Sequence, residues 1–585
     1  MSARRRPLYF GRNVDTNRRV GLDPKRLVEH TLIVGGTGSG KTVCLESIAR
    51  QAIDNGSPLI FLDPKGAAYK RLVNYCRRKG ITDRLHLIDP NDSRYRIGLN
   101  YFDMPATSIT KKVGMVKEAI YRAMGRSDAE LTITFERWGG AALSLLAQTG
   151  LTLADFHSVL VDEEFRQAAI ERSTDAFVQQ EWNHFAGVGP REQNSYLQAS
   201  INRAALFAED PTLHEMTGLP NAIDWQDVMN NRGIVLANLA PRNATEQLCR
   251  FIGIMLIHQI YQAGLARPQR HWKDPCYVIA DEFADLICPD FKDALQKLRE
   301  FGVALILALQ NTGDLRGIDP NNPNAMLDSV LQNTETKLAL KTRNYDEALF
   351  LARNIFGSEI TGDEVKHTHT SAVPYPYEKD VETRSSSESS SRSSSSSSSD
   401  SGGTVEGTSQ ATTPGTELFG ADNIVVMDGS SRSVVDSWSS SSNASESENR
   451  SEGRSVTTQQ WTDYRYEQIP TFRSLDESFH RAANQLRNLN TGFGYLQYNP
   501  SRPAIRIHTY LPKQHNQDEQ KLVDYTAMIF ERMGALPPAR ARELIDARRR
   551  RLLSLETGGK VPTELLPEHD VEFLAREQKR KDNHE

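Results

Sequence analysis

Residues 31–42 carry the sequence TLIVGGTGSGKT, and this stretch decides the fold. Its apolar start predicts a strand, its glycines predict a tight loop, and residues 43–50 predict a helix. The spacing fits the P-loop pattern G-x-x-x-x-G-K-[ST], in which backbone N–H groups and a helix N-terminus surround the phosphates of a nucleotide. The loop residues predicted to do so are Gly35, Gly36, Thr37, Gly38, Ser39 and Gly40.

Two side chains complete this pattern. The ammonium group of Lys41 is expected to reach the β- and γ-phosphates, and the hydroxyl of Thr42 is expected to bind Mg²⁺. A glycine-rich turn that matches the pattern without binding a nucleotide is the alternative. The loop therefore predicts a bound nucleotide and Mg²⁺. The sequence has no guanine-specifying N-K-x-D motif, which disfavours a kinase or a GTPase.

The composition of the 585 residues is that of an ordinary soluble protein with more than one domain. The net charge of −5 excludes a uniformly basic nucleic-acid coat but allows a local basic channel. The five scattered cysteines predict reduced thiols and a cytosolic protein. We expect no membrane span, because no apolar run approaches the roughly 18 residues required. The most apolar segment, 251–257, is expected to lie in a buried helix.

Two further strands are predicted to end in acidic residues beside the P-loop. Residues 58–63 and 85–89 are apolar runs, and the order strand, helix, strand predicts a parallel α/β sheet. Functional groups collect at the carboxyl ends of parallel strands, so Asp63 and Lys65 are candidates for nucleotide binding. Asp63 has a second interpretation as the turn residue before Pro64, and both stay open.

The segment YVIADE at residues 277–282 has the form of a Walker B motif, an apolar strand that ends in two acids. Asp281 is expected to hold Mg²⁺, and Glu282 is expected to orient and deprotonate the attacking water. Such a strand is a weak signal by itself and becomes a strong one downstream of a P-loop.

The next predicted strand, 303–309, ends at Gln310. An amide in this position suits a sensor of the γ-phosphate, and a simple strand cap is the alternative. Arg299 lies just before the strand, where it is either an ordinary surface arginine or an arginine finger that reaches the nucleotide of a neighbouring subunit in a ring.

Changes in sequence character predict six parts of the chain. Helices are expected at 107–125, 128–149, 152–172, 174–188 and 190–208, between two sets of strands. The predicted parts are 1–103 as the first part of the ATPase domain with Walker A, 104–230 as an inserted all-helical domain, 231–382 as the second part of the ATPase domain with Walker B and sensor, 383–460 as a Ser-rich disordered insertion with a short strand at 423–427, 461–515 as the ordered end of the core with a helix at 475–489 and a strand at 504–508, and 516–585 as a charged helical tail.

Three polar segments have no assigned chemistry. The arginine-rich residues 1–30 are expected to form a solvated basic arm, with phosphate-backbone binding as the alternative. The Ser-rich tract is expected to be a flexible insertion, with a phosphorylated switch as the alternative. The arginine block at 548–551 is expected to lie on a solvated helix face, with binding to nucleic acid or anionic lipid as the alternative.

In this order the motifs resemble the type IV secretion coupling proteins, which are conjugative DNA-transfer ATPases of the HerA–FtsK superfamily. The resemblance covers roughly residues 8–365 and rests on residues 30–42, 62–66, 99–102, 280–283, 299–303 and 309–310. It implies a RecA-like P-loop NTPase fold with an inserted all-α domain, a hexameric ring around DNA, and ATP at the subunit interfaces.

The resemblance also implies roles for individual residues. Lys41 and Thr42 correspond to the phosphate and Mg²⁺ ligands, Asp281 and Glu282 to the Walker B pair, Gln310 to the sensor, and Arg299 to the finger. Many members of the family begin with transmembrane helices. Since none is expected here, we expect a soluble variant in the cytoplasm, recruited to the inner face of the membrane by partners.

The leading hypothesis is an ATP-hydrolysing DNA translocase that works as a homohexamer. Its expected partners are single- or double-stranded DNA and a relaxase or other secretion-system proteins. One alternative is a HerA-like ATPase of a mobile element or defence system that acts with a separate nuclease. The other is a nucleotide-switched receptor whose helical domain and tail select a protein substrate.

Overall fold

The computed structural model describes residues 6–104, 107–124, 133–268, 274–287, 291–319, 322–357, 359–360, 365–387, 451–499, 501–513, 515–516 and 518–556. The chain forms two compact units. We call residues 1–361 with 475–585 the core unit, and residues 362–474 the ribbon unit.

Strands and helices follow one another along the described residues. The strands are β1 (Leu8–Asn13), β2 (Arg19–Leu22), β3 (Thr31–Val34), β4 (Leu59–Asp63), β5 (Leu85–Ile88), β6 (Ile234–Asn238), β7 (Cys276–Ala280), β8 (Val303–Leu309), β9 (Thr336–Leu340), β10 (Val365–Ser387), β11 (Ser451–Phe472), β12 (Phe493–Gln497) and β13 (Ile505–Thr509). The helices are Pro24–Leu27, Lys41–Asp54, Ala67–Arg78, Ile109–Met124, Gly140–Thr149, Phe156–Val161, Glu163–Arg172, Ala176–Ala186, Pro190–Glu209, Pro211–Gly218, Trp225–Asn230, Glu246–Leu265, Phe291–Lys297, Ala325–Asn333, Tyr345–Phe356, Leu475–Arg487, Glu519–Arg532 and Pro538–Glu556.

One mixed sheet of eleven described strands organises the core unit, in the order β2-β1-β13-β12-β9-β3-β8-β7-β4-β6-β5. The seven strands from β9 to β5 run parallel, which confirms the predicted α/β sheet. The other four pair antiparallel at one edge. The parallel order places the P-loop strand β3 beside β8, with the Walker B strand β7 on the far side of β8.

Two strands of this antiparallel edge correct the prediction for residues 1–30. The segment contains β1 and β2 and is not a basic arm, because Leu8 and Phe10 are buried in the core between the arginines. β12 was missed as well. It pairs with β9 and thereby joins the C-terminal part of the chain to the sheet.

Both faces of the sheet are covered. Leu32 and Val34 of β3 belong to one apolar cluster and Ile33 to the other, as expected when successive side chains of a strand point to opposite faces. A parallel sheet is stable only when both faces are buried. The P-loop therefore lies on a rigid, doubly covered scaffold.

Helices alone make up the regular structure of the described residues between β5 and β6. They pack through aromatic side chains, among them Trp138, whose ring centroid lies 5.9 Å from that of Trp182 and 5.3 Å from that of Phe185. These contacts confirm the inserted all-helical part of the predicted fold class.

The helix Glu246–Leu265 packs against Ile109–Met124 and carries the segment predicted to be buried. Among the described residues it is the one helix long and apolar enough to cross a membrane, and 83% of its apolar window is buried inside the protein. The expectation that no stretch has this length was wrong. A buried core helix passes the same test, so the finding is weak evidence for a span.

The ribbon unit consists of β10 paired antiparallel with β11. Residues 383–387 and 451–460, predicted as the ends of a disordered insertion, lie in these two strands, so the prediction was wrong for them. The rest of the Ser-rich tract, 388–450, lies outside the described residues, as does the short strand predicted at 423–427.

The C-terminal helix Pro538–Glu556 corrects a further prediction. Arg548 and Arg549 do not lie on a solvated face, because their guanidinium groups lie 2.8 Å and 3.0 Å from the carboxylate of the fully buried Asp155 in the helical insertion. The predicted tail continues past this helix, and its residues 557–585 lie outside the described residues.

Candidate functional site

The P-loop joins β3 to the helix Lys41–Asp54 at the carboxyl edge of the sheet. The N–H of Gly35 donates to the carbonyl of Leu309 at 3.2 Å, so the ladder of β8 continues into the loop. Gly38 and Gly40 have φ angles of 77° and 104°, the left-handed region in which glycine is favoured. These two turns let the loop curve, and a curved loop of successive backbone N–H groups suits an anion.

Lys41 begins the helix with only 5% of its surface exposed. Its ammonium group donates to the carbonyl oxygen of Gly35 and lies 3.4 Å from that of Gly36. Burial lowers the pKa of Lys41, the nearby Glu282 carboxylate opposes the shift, and the Lys65 ammonium adds to it. The cation is thus held inside the loop by carbonyl groups, where a phosphate is its natural partner.

Thr42 and Asp281 meet at the centre of the site. The Thr42 hydroxyl donates to Oδ2 of Asp281 at 2.6 Å, although the residues are 239 positions apart. Burial raises the pKa of Asp281, and the hydrogen bond from Thr42 opposes that shift. The other oxygen, Oδ1, is buried and has no hydrogen-bond partner among the described residues.

A magnesium ion fits this donor set. A hydroxyl and a carboxylate with a free, buried oxygen are hard ligands, and Mg²⁺ commonly completes its shell with phosphate oxygens and water. Among the described residues no cluster of three or more His, Cys, Asp or Glu side chains offers a self-sufficient metal site. Thr42 and Asp281 would therefore hold the ion together with a nucleotide.

Glu282 follows in the left-handed conformation, with φ 55° and ψ 52°. This geometry is unfavourable for a residue with a side chain and is typical of functional sites. It turns the carboxylate towards two partners. Oε2 accepts from the Lys65 ammonium at 3.0 Å, and Oε1 accepts from the backbone N–H of Gln310 at 3.1 Å.

Gln310 connects the P-loop to the Walker B acid. Its side-chain oxygen accepts from the Thr37 hydroxyl at 2.9 Å, while its N–H binds Glu282. These contacts bring the predicted sensor together with the predicted base, and they are more than a strand cap requires. Its role as a sensor stays a prediction.

Asp63 makes the contacts of a turn residue. Its two carboxylate oxygens accept from the N–H of Lys65 at 3.0 Å and of Tyr69 at 2.8 Å, and its side chain is fully buried. The turn orients Lys65 towards Glu282. Nucleotide binding by Asp63 stays a prediction, and the geometry favours the turn interpretation.

Arg299 is not brought to the P-loop. It is exposed on the short helical turn Leu298–Phe301 before β8, whereas Gln310 and the loop lie at the carboxyl end of that strand. Burial lowers the pKa of His30 at the amino end of β3, and the charge of Arg299 adds to that shift. Within one chain Arg299 is too far along the strand to serve the nucleotide site.

Two residues that sequence reasoning missed brace the P-loop from the C-terminal part of the chain. Thr491 Oγ1 donates to the carbonyl of Gly38 at 3.2 Å, and the N–H of Gly492 donates to the carbonyl of Ser39 at 2.9 Å. The signal available in the sequence was a turn motif, N-T-G, before the strand β12. A turn motif does not tell which loop it will contact.

The chain matches known proteins over most of its length. A family model described as the type IV secretion-system coupling protein DNA-binding domain matches residues 18–389. The type 4 coupling protein DotL of Legionella pneumophila subsp. pneumophila is 20% identical over 447 residues, which are 65% of this chain and 55% of DotL. The chain thus spans about half the length of this curated relative.

The solved structures that are similar to this chain include two of coupling proteins. The unbound bacterial conjugative coupling protein TrwBdeltaN70 is 14% identical with a TM-score of 0.46, and the match covers 88% of this chain and 92% of that one. The plasmid coupling protein TrwB in complex with ADP and Mg²⁺ is 13% identical with a TM-score of 0.45, and the match covers 85% and 89%.

Proposed function

Since the chain belongs to the type IV secretion-system coupling proteins, through their DNA-binding domain, we propose that it is an ATP-hydrolysing motor that moves DNA. The observation that carries the proposal is the contact of Thr42 with Asp281 at 2.6 Å beside Lys41 and Glu282. It unites Walker A and Walker B at one edge of the sheet, which is the arrangement that phosphoryl transfer requires.

ATP binds with its phosphates against the N–H groups of the loop residues 35–40. Lys41 leaves the loop carbonyls for the β- and γ-phosphates, because a phosphate dianion is a stronger partner than a carbonyl. Thr42 and Asp281 would hold Mg²⁺, which would supply positive charge to neutralise the phosphates when bound. The bound nucleotide thus satisfies the buried cation, and the Mg²⁺ ion would satisfy Oδ1 of Asp281, which has no hydrogen-bond partner among the described residues.

Hydrolysis uses Glu282 as the base. A water molecule attacks the γ-phosphorus atom, and Glu282 accepts one of its protons as the new oxygen–phosphorus bond forms. The bond from the γ-phosphorus to the bridging oxygen breaks, and its electron pair leaves with ADP. Gln310 senses the γ-phosphate through its contacts with Thr37 and Glu282.

The motor works as a homohexameric ring around DNA. Arg299 is exposed and lies at the opposite end of β8 from the nucleotide site of its own chain, which suits a finger that serves the neighbouring chain. Relaxase or secretion-system proteins are its expected partners, and the cytoplasmic face of a membrane is its expected place. DotL is a type 4 coupling protein by name, which supports a secretion system as the partner.

The first experiment measures steady-state ATPase activity of the purified full chain with no DNA, with single-stranded DNA and with double-stranded DNA. Lys41→Ala serves as the blank. We expect hydrolysis that DNA stimulates and that the variant lacks. ATP binding without any effect of DNA would contradict a motor and would favour the nucleotide-switched receptor.

A mixing experiment tests the ring. Arg299→Ala and Glu282→Gln chains are each expected to be inactive alone. A mixture recovers part of the activity, because some interfaces then combine an intact Glu282 with an intact Arg299 of the neighbour. An Arg299→Ala chain with full activity would contradict the finger.

A further inference from the structure

The carboxylate of Glu282 is engaged at both oxygens. Lys65 and the N–H of Gln310 each donate to one of them, and only 11% of the Glu282 side chain is exposed. A base needs an oxygen directed at the proton that it removes. In this geometry Oε2 is paired with the Lys65 ammonium and Oε1 with the N–H of Gln310.

The backbone that carries Lys65 is fixed, whereas its side chain is not. Asp63 holds the Lys65 N–H at 3.0 Å, and Gly66 follows with φ 70°. A Cβ on Gly66 would lie 2.6 Å from Oδ1 of Asn238, so only glycine fits this turn. The Lys65 side chain is 42% exposed, which leaves its ammonium free to change partner.

The ammonium of Lys65 lies within the electrostatic reach of the phosphate-binding groups. Its charge lowers the pKa of Lys41 and opposes the burial-driven rise in the pKa of Asp281. An anion placed beside Lys41 therefore acts on Lys65 as well. The Glu282 carboxylate and a triphosphate are two anions within the range of one cation.

We propose that Lys65 is a positioning residue that restrains Glu282, and that the γ-phosphate of ATP releases the base by attracting the Lys65 ammonium. This inference rests on the proposed function and adds a regulatory step to the same site. The strained backbone of Glu282 holds its carboxylate in place when the Lys65 ammonium moves away. The carboxylate can then accept the proton of the attacking water without a further rearrangement. While ATP is bound, the Lys65 ammonium exchanges between the γ-phosphate and Glu282, so the pairing with Glu282 that remains keeps kcat below the value of an unrestrained base.

A simpler role for Lys65, as a mere phosphate ligand, has the opposite consequence. Removing a phosphate ligand lowers kcat or raises KM, whereas removing a restraint on the base raises kcat. The sign of the change in kcat therefore separates the two roles, and loss of fold cannot imitate an increase.

The test compares steady-state ATPase kinetics of the full-length wild type, Lys65→Met and Lys65→Arg without DNA. We expect kcat of Lys65→Met to rise roughly two- to fivefold, the range for loss of a partly exposed ion pair. Lys65→Arg keeps the pair and stays near wild type. The double variant Lys65→Met with Glu282→Gln falls to the level of Lys41→Ala, because the gain acts through Glu282.

The outcomes separate this inference from the proposed function. If wild type hydrolyses ATP and Lys65→Met has a kcat equal to or below it, the restraint is overturned and the motor stands. If the double variant keeps the raised rate, the gain does not pass through Glu282 and the inference is overturned. If wild type hydrolyses no more ATP than Lys41→Ala, both the motor and the restraint are overturned.

Discussion

Two fully buried aspartates in this chain are treated in opposite ways. Asp155, in the helical insertion, receives Arg548, Arg549 and the N–H of Thr152 on its two oxygens. Asp281, at the edge of the sheet, receives the Thr42 hydroxyl on one oxygen and has no partner on the other within the described part of the chain.

The pKa shifts record this difference. For both groups burial is the largest influence and raises the pKa. At Asp155 the charges of Arg548 and Arg549 and the Thr152 N–H outweigh burial and lower the pKa. At Asp281 the hydrogen bond from Thr42 and the charges of Lys65 and Lys41 are too weak to outweigh burial, so the pKa stays raised. A buried carboxylate whose two oxygens both have partners is typical of a structural contact. A buried carboxylate with a free oxygen is typical of a ligand-binding site.

The largest expected effect of breaking the site is on hydrolysis. Glu282→Gln removes the proposed base and should lower kcat by at least about 100-fold, the usual contribution of general-base catalysis. ATP binding should persist because Lys41, Thr42 and Asp281 remain. Steady-state kinetics and a fluorescent ATP analogue measure the two quantities, with Lys41→Ala as the variant that loses both. Near-normal turnover would remove Glu282 from its assigned role.

Breaking the saturated aspartate should affect stability instead. Asp155→Asn leaves two partly buried guanidinium groups without their counter-charge and should lower the free energy of unfolding by about 3 kcal/mol. Denaturant titration of the full chain measures it. Asp281→Asn is the matched control, in EDTA, and should be as stable as wild type or more so. Equal losses in both variants would show that the two carboxylates do not differ.

The pH dependence should separate the same two groups with opposite signs. Because its folded pKa is lowered, Asp155 stabilises the protein above its unfolded pKa near 3.8 and loses this contribution as pH falls through the folded value. The stability gap between wild type and Asp155→Asn should therefore narrow below about pH 4.

Asp281 has the reverse sign. Because its folded pKa is raised, the charged form of Asp281 lowers the stability of the protein above the unfolded pKa of 3.8. The stability of Asp281→Asn relative to wild type should therefore increase as pH rises and decrease again in acid. Thermal midpoints in EDTA across pH 3 to 8 compare the variants with wild type. A difference in thermal midpoint between Asp281→Asn and wild type that does not change with pH would contradict the raised pKa.

The smallest effect is expected at a second contact of the C-terminal helix. Arg542 lies 3.0 Å from Glu215, but its side chain is 55% exposed. Glu215 keeps its buried partner Arg96 at 2.7 Å when Arg542 is lost. Arg542→Ala should therefore cost no more than about 1 kcal/mol. Arg96→Ala, measured in the same way, should lower the free energy of unfolding several times more, because it leaves the buried Glu215 without its buried partner.

Local patterns predicted the parallel centre of the sheet well. The strands that carry Walker A, Walker B and the sensor are continuous apolar runs, and all three lie where expected. The family resemblance drawn from these motifs is confirmed by the matching family model. At the antiparallel edge the strand at 504–508 was predicted, but β1 and β12 were not, since glycine interrupts their apolar pattern and their partners β13 and β9 lie far away in the sequence.

By itself, the sequence determined the nucleotide loop, the acids that face it and the family, because these features depend on residues adjacent in the chain. Only the tertiary structure decided how charges pair across long separations. In the folded chain Arg548 and Arg549 form ion pairs with Asp155. Lys65 likewise pairs with Glu282, which is 217 positions away in the sequence. A charge has no preferred partner until folding brings one within reach and removes the water between them.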